Sequence, residues 1–91
     1  MKTAKQCERY FKGAANHCRI DILVLVSKNP DMTVEGIADT LGKNIKTVSE
    51  HTRRLVHAGL LNKKYQGRHV IHSLSPYGKR FVPFIKSFLH S

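Results

Sequence analysis

Within NIKTVSEHTRRLVH, residues 44–57, Lys46, Thr47, Ser49 and Glu50 fall inside five positions, with Asn44 ahead of them and His51, Arg53, Arg54 and His57 behind. A second group, Lys63, Lys64, Gln66, Arg68 and His69, crowds around Gly67. Lys and Arg supply only donors, a carboxylate only acceptors, and Ser and Thr both. That mixture suits gripping a polyanion and reading a hydrogen-bonding edge. It does not suit catalysis. There is no Ser/His/Asp or Cys/His arrangement on separate elements, no phosphate-binding glycine loop, and too few carboxylates for acid–base pairs. No enzyme is expected.

Charge distribution sharpens this reading. The chain has 91 residues, enough for one small domain, with 16 Lys+Arg against 6 Asp+Glu and a net charge of +10. Residues 1–42 carry six cations and five acids, whereas residues 43–91 carry ten cations and only Glu50. A folded domain with so one-sided an excess is built to meet a polyanion. A solvated, salt-bridged surface would instead interleave acids with its bases. Residues 43–69 hold seven cations and one acid.

The elements that position these groups follow from periodicity. Residues 3–15 place Ala4, Cys7, Phe11, Ala14 and Ala15 on one helical face. Asn16 caps a second helix, HCRIDILVLVSK, apolar almost all round and therefore central; Asn29-Pro30 stops it. Thr33 caps a short third helix, Val34–Leu41, with Met32 and Ile37 at the spacing of a hydrophobic staple, and Gly42 ends it. Asn44 then caps the next. A short helix, a tight glycine-containing turn and a second helix over residues 33–57 make a helix-turn-helix.

Beyond Gly59 the period changes. Leu61–Tyr65 and Arg68–Leu74 flank a turn expected at Gln66-Gly67, giving a hairpin over residues 60–74. Ser75-Pro76 opens a last helix carrying Phe81, Phe84, Ile85 and Phe88 at helical spacing, with a kink or restart expected at Pro83. The order is helix, helix, helix, helix, hairpin, helix: a mainly α chain with a small β-hairpin wing, the winged helix-turn-helix.

On a helix over residues 45–57, Ile45, Val48, Thr52 and Leu55 form the packing stripe, with Val56 beside it. Lys46, Glu50, Arg53, Arg54 and His57 lie opposite, and Thr47, Ser49 and His51 flank them. In such a motif the second helix lies in the major groove of duplex DNA with its N-terminal residues nearest the bases. Lys46 can then donate to guanine, Glu50 accept from cytosine, and Thr47 or Ser49 do either. Asn44 and the free N–H groups at the helix start suit a phosphate. Arg53 and Arg54 are expected on the backbone, and the basic hairpin tip, with Lys63, Lys64, Gln66 and Arg68, beside the groove.

Two stretches carry a family resemblance. AANHCRIDILVLV, and IADTLGKNIKTVSEHTRRLVHAGLLNKKYQGRHVIHSLSP with its T-V-S-x-H and A-G-L-L…G-R parts, resemble the ArsR family of bacterial regulators over roughly residues 14–76. The resemblance implies a homodimeric winged helix-turn-helix DNA-binding regulator, with dimer helices at residues 1–15 and 76–91. By position it puts DNA contacts on Lys46, Thr47, Ser49 and Glu50, and matches His51 to the family histidine. Asn44 stands where the family usually has Ser, His17 where it has Pro, and Asp21 where it often has Arg. SPYGKRFVPFIKSF also resembles MarR- and HxlR-like regulators.

Dimerisation has an independent footing. Cys7, Tyr10 and Phe11 at one end, and Phe81, Phe84, Ile85, Phe88 and Leu89 at the other, exceed what one small core needs. They are the expected dimer interface. No metal is expected. The third-helix position where many relatives of the family carry a C-x-C pair reads Met32-Thr33-Val34-Glu35, and the last helix offers only His90. Cys7, His17 and Cys18 match no zinc spacing, and both thiols are read as packing residues. The alternatives are a metal- or thiol-sensing repressor using Cys7 and Cys18, and a winged protein–protein adaptor that leaves DNA alone. The histidines of helix and wing are expected to add charge facing phosphate as pH falls. The N-terminal residues scatter charge where a signal peptide needs an apolar block, and no run spans a bilayer, so the chain reads as cytoplasmic.

Overall fold

A computed structural model describes all of residues 1–91. It runs α1 (Ala4–Ala14), α2 (His17–Lys28), β1 (Met32–Thr33), α3 (Val34–Leu41), α4 (Ile45–His57), β2 (Leu61–Gln66), β3 (His69–Leu74) and α5 (Pro76–Leu89). Each helix begins at a residue that can replace a missing intrahelical acceptor. Asn16 Oδ1 accepts from the N–H groups of Cys18 and Arg19 at 2.9 and 3.2 Å, and Thr33 Oγ1 accepts from Gly36 at 3.0 Å. Thr3 and Gln6 form a reciprocal capping box, a signal in the sequence that the periodicity reading passed over. Such caps contribute about 1 kcal/mol each.

The helix-turn-helix is fixed at both ends of α4. Gly42 adopts φ 63°, and the Gly42 and Lys43 N–H groups donate back to Asp39 and Ala38 at 3.3 and 3.0 Å. Gly59 adopts φ 86°, while its own N–H and that of Leu60 return to Val56 and Leu55, both at 3.0 Å. These paired bonds are the Schellman arrangement, in which a left-handed residue lets the last carbonyls find donors. Helix α3 therefore stops at Gly42 and α4 at Ala58, and Asn44 starts α4.

The central helix α2 buries Cys18, Ile22, Leu23 and Val26. Around it close Ile37 and Ala38 of α3, Val48 and Leu55 of α4, Leu60, Leu61, and Val82 and Ile85 of α5. Two close approaches set the frame. A Cβ on Gly13 would collide with that of Ala58, so α1 crosses the end of α4 at a residue with no side chain. A Cβ on Gly78 would run into the Leu60 carbonyl, which draws the start of α5 against the root of the hairpin. Ser75 seals that root, donating its Oγ–H to the Gly59 carbonyl at 2.6 Å while capping Gly78.

Four features differ from the expectations. A third strand exists: β1 pairs antiparallel with β3, Met32 opposite His72, giving the order β1-β3-β2. The hairpin turn lies at Gly67-Arg68, one residue later than expected, since Gln66 pairs with His69. Gly67, at φ 62°, takes the first central position, where a tight hairpin turn needs positive φ. Helix α5 runs through Pro83 without a restart. Pro83 and Lys79 are both exposed, so water can satisfy the Lys79 carbonyl that a proline leaves without its donor. Finally, Ile45 is 46% exposed and not part of the packing stripe, which Val48, Thr52 and Leu55 make alone. As the first residue of α4 it lies beyond the edge of the core.

Candidate nucleic-acid interface

The back of α4 is sealed and its front is open. Val48 and Leu55 are fully buried, and Thr52 hides its hydroxyl by donating to the Ser49 carbonyl at 3.0 Å. Asn44 Oδ1 accepts from the Lys46 N–H at 2.8 Å, so the cap side chain is already engaged within the helix start. Asn44, Lys46, Thr47, Ser49, Glu50, Arg53 and Arg54 are all exposed. The Lys46, Thr47 and Ser49 side chains have no hydrogen-bond partner in the protein.

Further along, the cations are tied down. The Glu50 carboxylate accepts from Arg53 at 2.7 and 3.2 Å and from Arg54 Nε at 2.9 Å. The two guanidiniums hold its pKa well below the ordinary carboxylate range, at about 2. Glu50, expected to read cytosine, is thus engaged inside the protein and sets the position of two arginines. The i, i+3 and i, i+4 spacings that allow this were legible in the sequence. His51 is also corrected. It is half-buried, and its Nδ1 accepts from Arg19 Nε at 3.0 Å, so it faces α2 and not solvent. Burial, and then the Arg19 charge, push its pKa below the ordinary value.

On the wing, Lys63, Lys64, Gln66, Arg68 and His69 are exposed. Lys64 lies 3.9 Å from Asp31, a long and open pairing. Tyr65, 71% exposed among these cations, is an aromatic that the sequence reading did not assign. His72 points the other way. It is buried, its Nδ1 has no partner in the protein, and desolvation pushes its pKa down. Of the histidines expected to add charge toward phosphate, His57 and His69 remain on the surface.

The residues expected at a dimer interface divide. Tyr10 and Ile85 belong to the protein's own core, Tyr10 stacking on Tyr77 at 5.0 Å between ring centres. Helical spacing puts Ile85 on an apolar face and Tyr10 counts among the surplus apolar residues, but neither says which of these side chains another helix covers. Phe11, Phe84, Phe88 and Leu89 are at least half exposed. Phe11, Phe81, Phe84 and Phe88 form an edge-to-face ladder with centres 5.1 to 6.3 Å apart. An open groove of about 530 Å³ runs beside it, where half-buried Cys7 lies. Cys18 is buried. No three His, Cys, Asp or Glu side chains gather to hold a metal, and no helix is long and apolar enough to cross a membrane.

A capped helix pair that presents the second helix outward, with an antiparallel wing behind it, defines a winged helix-turn-helix DNA-binding protein. The family model described as "Bacterial regulatory protein, arsR family" matches residues 17–63, more than half of the chain. The chain belongs to the ArsR family of bacterial regulators. That makes it a DNA-binding transcriptional regulator.

Solved structures agree in fold. HlyU from Vibrio cholerae N16961 superposes with a TM-score of 0.87 at 22% identity, covering 99% of this chain and 98% of its own. The homodimeric winged helix-turn-helix DNA-binding domain Mb0332 from Mycobacterium bovis gives 0.84 at 25%, covering 94% and 80%. NolR from Sinorhizobium fredii gives 0.81 at 20%, covering 93% and 85%. No curated protein matches the sequence.

Proposed function

We propose that this regulator is a repressor that binds a palindromic operator as a homodimer. In this reading, α4 lies in the major groove. Lys46 donates to a guanine edge, and Thr47 and Ser49 meet neighbouring bases. Arg53 and Arg54, gathered on one Glu50 carboxylate, meet backbone phosphates, and Lys63, Lys64, Gln66 and Arg68 of the wing meet the strand alongside. Repression follows from occupying the promoter.

The observation that carries this reading is the contrast along α4. Its first turns present unpartnered polar side chains on a helix whose back is fully buried, while its later cations are fixed. That is what a helix entering a groove end-first requires. The exposed phenylalanine ladder supports the homodimer, because a face of this kind is stabilised by burial against a second copy, and a twofold pair reads enough bases to find a site. Mb0332, a structural relative, is homodimeric. Half-sites should then lie about one helical turn apart.

Selection of bound duplexes from a random pool tests the reading. It should recover an inverted repeat with that spacing, bound with steep salt dependence. A wild-type protein with no salt-dependent affinity for any duplex would overturn it and favour the adaptor reading. Sensing through Cys7 and Cys18 finds no support in their placement, since Cys18 lies in the core.

A further inference from the structure

A cleft of about 510 Å³ opens where α1, α2 and the C-terminal half of α4 meet. Gly13 and Ala58, touching at its floor, bring the helices close enough to form it. Arg9 and Lys12 come from α1, Arg19 from α2, and Arg53, Arg54 and His57 from α4. The acids that touch this group are Glu8, 3.5 Å from Lys12, and Glu50, bonded to Arg53 and Arg54. Five fixed cations thus meet two carboxylates.

Arg19 is the informative member. A half-buried guanidinium ordinarily pairs with a carboxylate. Arg19 instead donates to His51 Nδ1 at 3.0 Å and to the Gly13 carbonyl at 3.2 Å, both neutral groups. Two of its five N–H groups are thereby used, and the others find no acceptor in the protein. Arg9 likewise meets no acid. It donates to the Tyr10 hydroxyl at 3.3 Å and lies over that ring. Both side chains are held in place by neutral partners with their charge unspent, the arrangement suited to an arriving anion.

We propose that this cleft grips backbone phosphates of the duplex, a contact made by α1 and α2, outside both the helix-turn-helix and the wing. It rests on the DNA-binding reading above. Lys46, Glu50, Arg53 and His57 fall on one outward stripe of α4, and the cleft continues that stripe at its C-terminal end. The 13 residues of α4 span about 20 Å, against a major groove about 12 Å wide. A helix entering by its N-terminal turns therefore emerges at the groove's rim, where phosphates lie. Arg9, Lys12 and Arg19 await them there.

Arg9 and Lys12 are exposed, so Arg9→Gln with Lys12→Gln leaves the fold intact. With the full chain on a selected duplex, the double variant should lower the log–log salt slope by about 1 to 2, at about 0.9 per phosphate lost. The fall should be equal on a random duplex. Lys28→Gln, at the opposite end of α2 from Arg19, should leave the slope unchanged. An unchanged slope in the double variant overturns the proposal while the DNA-binding reading stands. Stoichiometric binding of inorganic pyrophosphate by the wild type, lost in the double variant while the DNA slope holds, would assign the cleft to a free phosphate compound and also overturn it. A wild type that binds no duplex at all sinks the underlying reading and this inference together.

Discussion

Helix α4 and the wing are both basic, but they carry their charge under opposite conditions. The helix is anchored by a fully buried back, capped at both ends, and its arginines are clamped by Glu50. The wing is a two-stranded ribbon whose β2 side chains from Asn62 to Gln66 are all exposed, with one long pairing from Lys64 to Asp31. An anchored backbone presents Lys46, Thr47 and Ser49 at set positions along the helix, so their contacts can discriminate bases, whereas the wing's lysines supply charge with little direction. The helix is thus suited to specificity and the wing to affinity.

The largest expected effect tests the anchoring. Leu55→Ala empties a fully buried site behind α4 and should cost about 2–5 kcal/mol of stability, whereas Tyr65→Ala on the wing should stay within about 0.5 kcal/mol. Denaturant unfolding measures both, and equal losses would erase the distinction. Next is base reading. Lys46→Ala should weaken binding to a selected operator by about 1–3 kcal/mol, roughly 5- to 150-fold, with a much smaller loss on random duplex. Lys63→Ala with Arg68→Ala should do the opposite, weakening all sequences alike and lowering the salt slope by about 1.8. A wing variant that changed sequence preference would reverse the assignment of roles.

The smallest effect concerns pH. Burial lowers the pKa of His72 from its ordinary 6.5, and His51 shifts the same way. The unfolded chain therefore binds protons first. Stability is full above about pH 6.5 and falls as pH drops below it, through the lower folded-state values. His72→Val should flatten that decline in thermal melts between pH 7 and 5. An unaltered decline would place its origin elsewhere.

What the sequence made legible was local. Asn16, Thr33, Asn44 and Ser75 cap where expected, Gly42 ends α3, and the helix-turn-helix and wing follow from them. Features that depend on distant partners were not visible. Strand β1 is two residues long and exists only by pairing with β3. The bond from Arg19 to His51 joins residues 32 positions apart. Tyr10 and Ile85 share an apolar face with Phe11 and Phe84, and only the folded packing separates core from surface. The Glu50 clamp is different: its i, i+3 and i, i+4 spacing is in plain view, and a lone acid among cations finds its nearest donors one helical turn away, in Arg53 and Arg54.

Methylation interference on a selected duplex tests the central claim most directly, because a methyl group on guanine N7 blocks the major groove at the atom Lys46 should meet. Binding should be abolished by methylation at guanines in two half-sites about one helical turn apart, and Lys46→Ala should be indifferent to those same methyl groups. Full binding of the wild type to duplex methylated at every guanine would contradict the account.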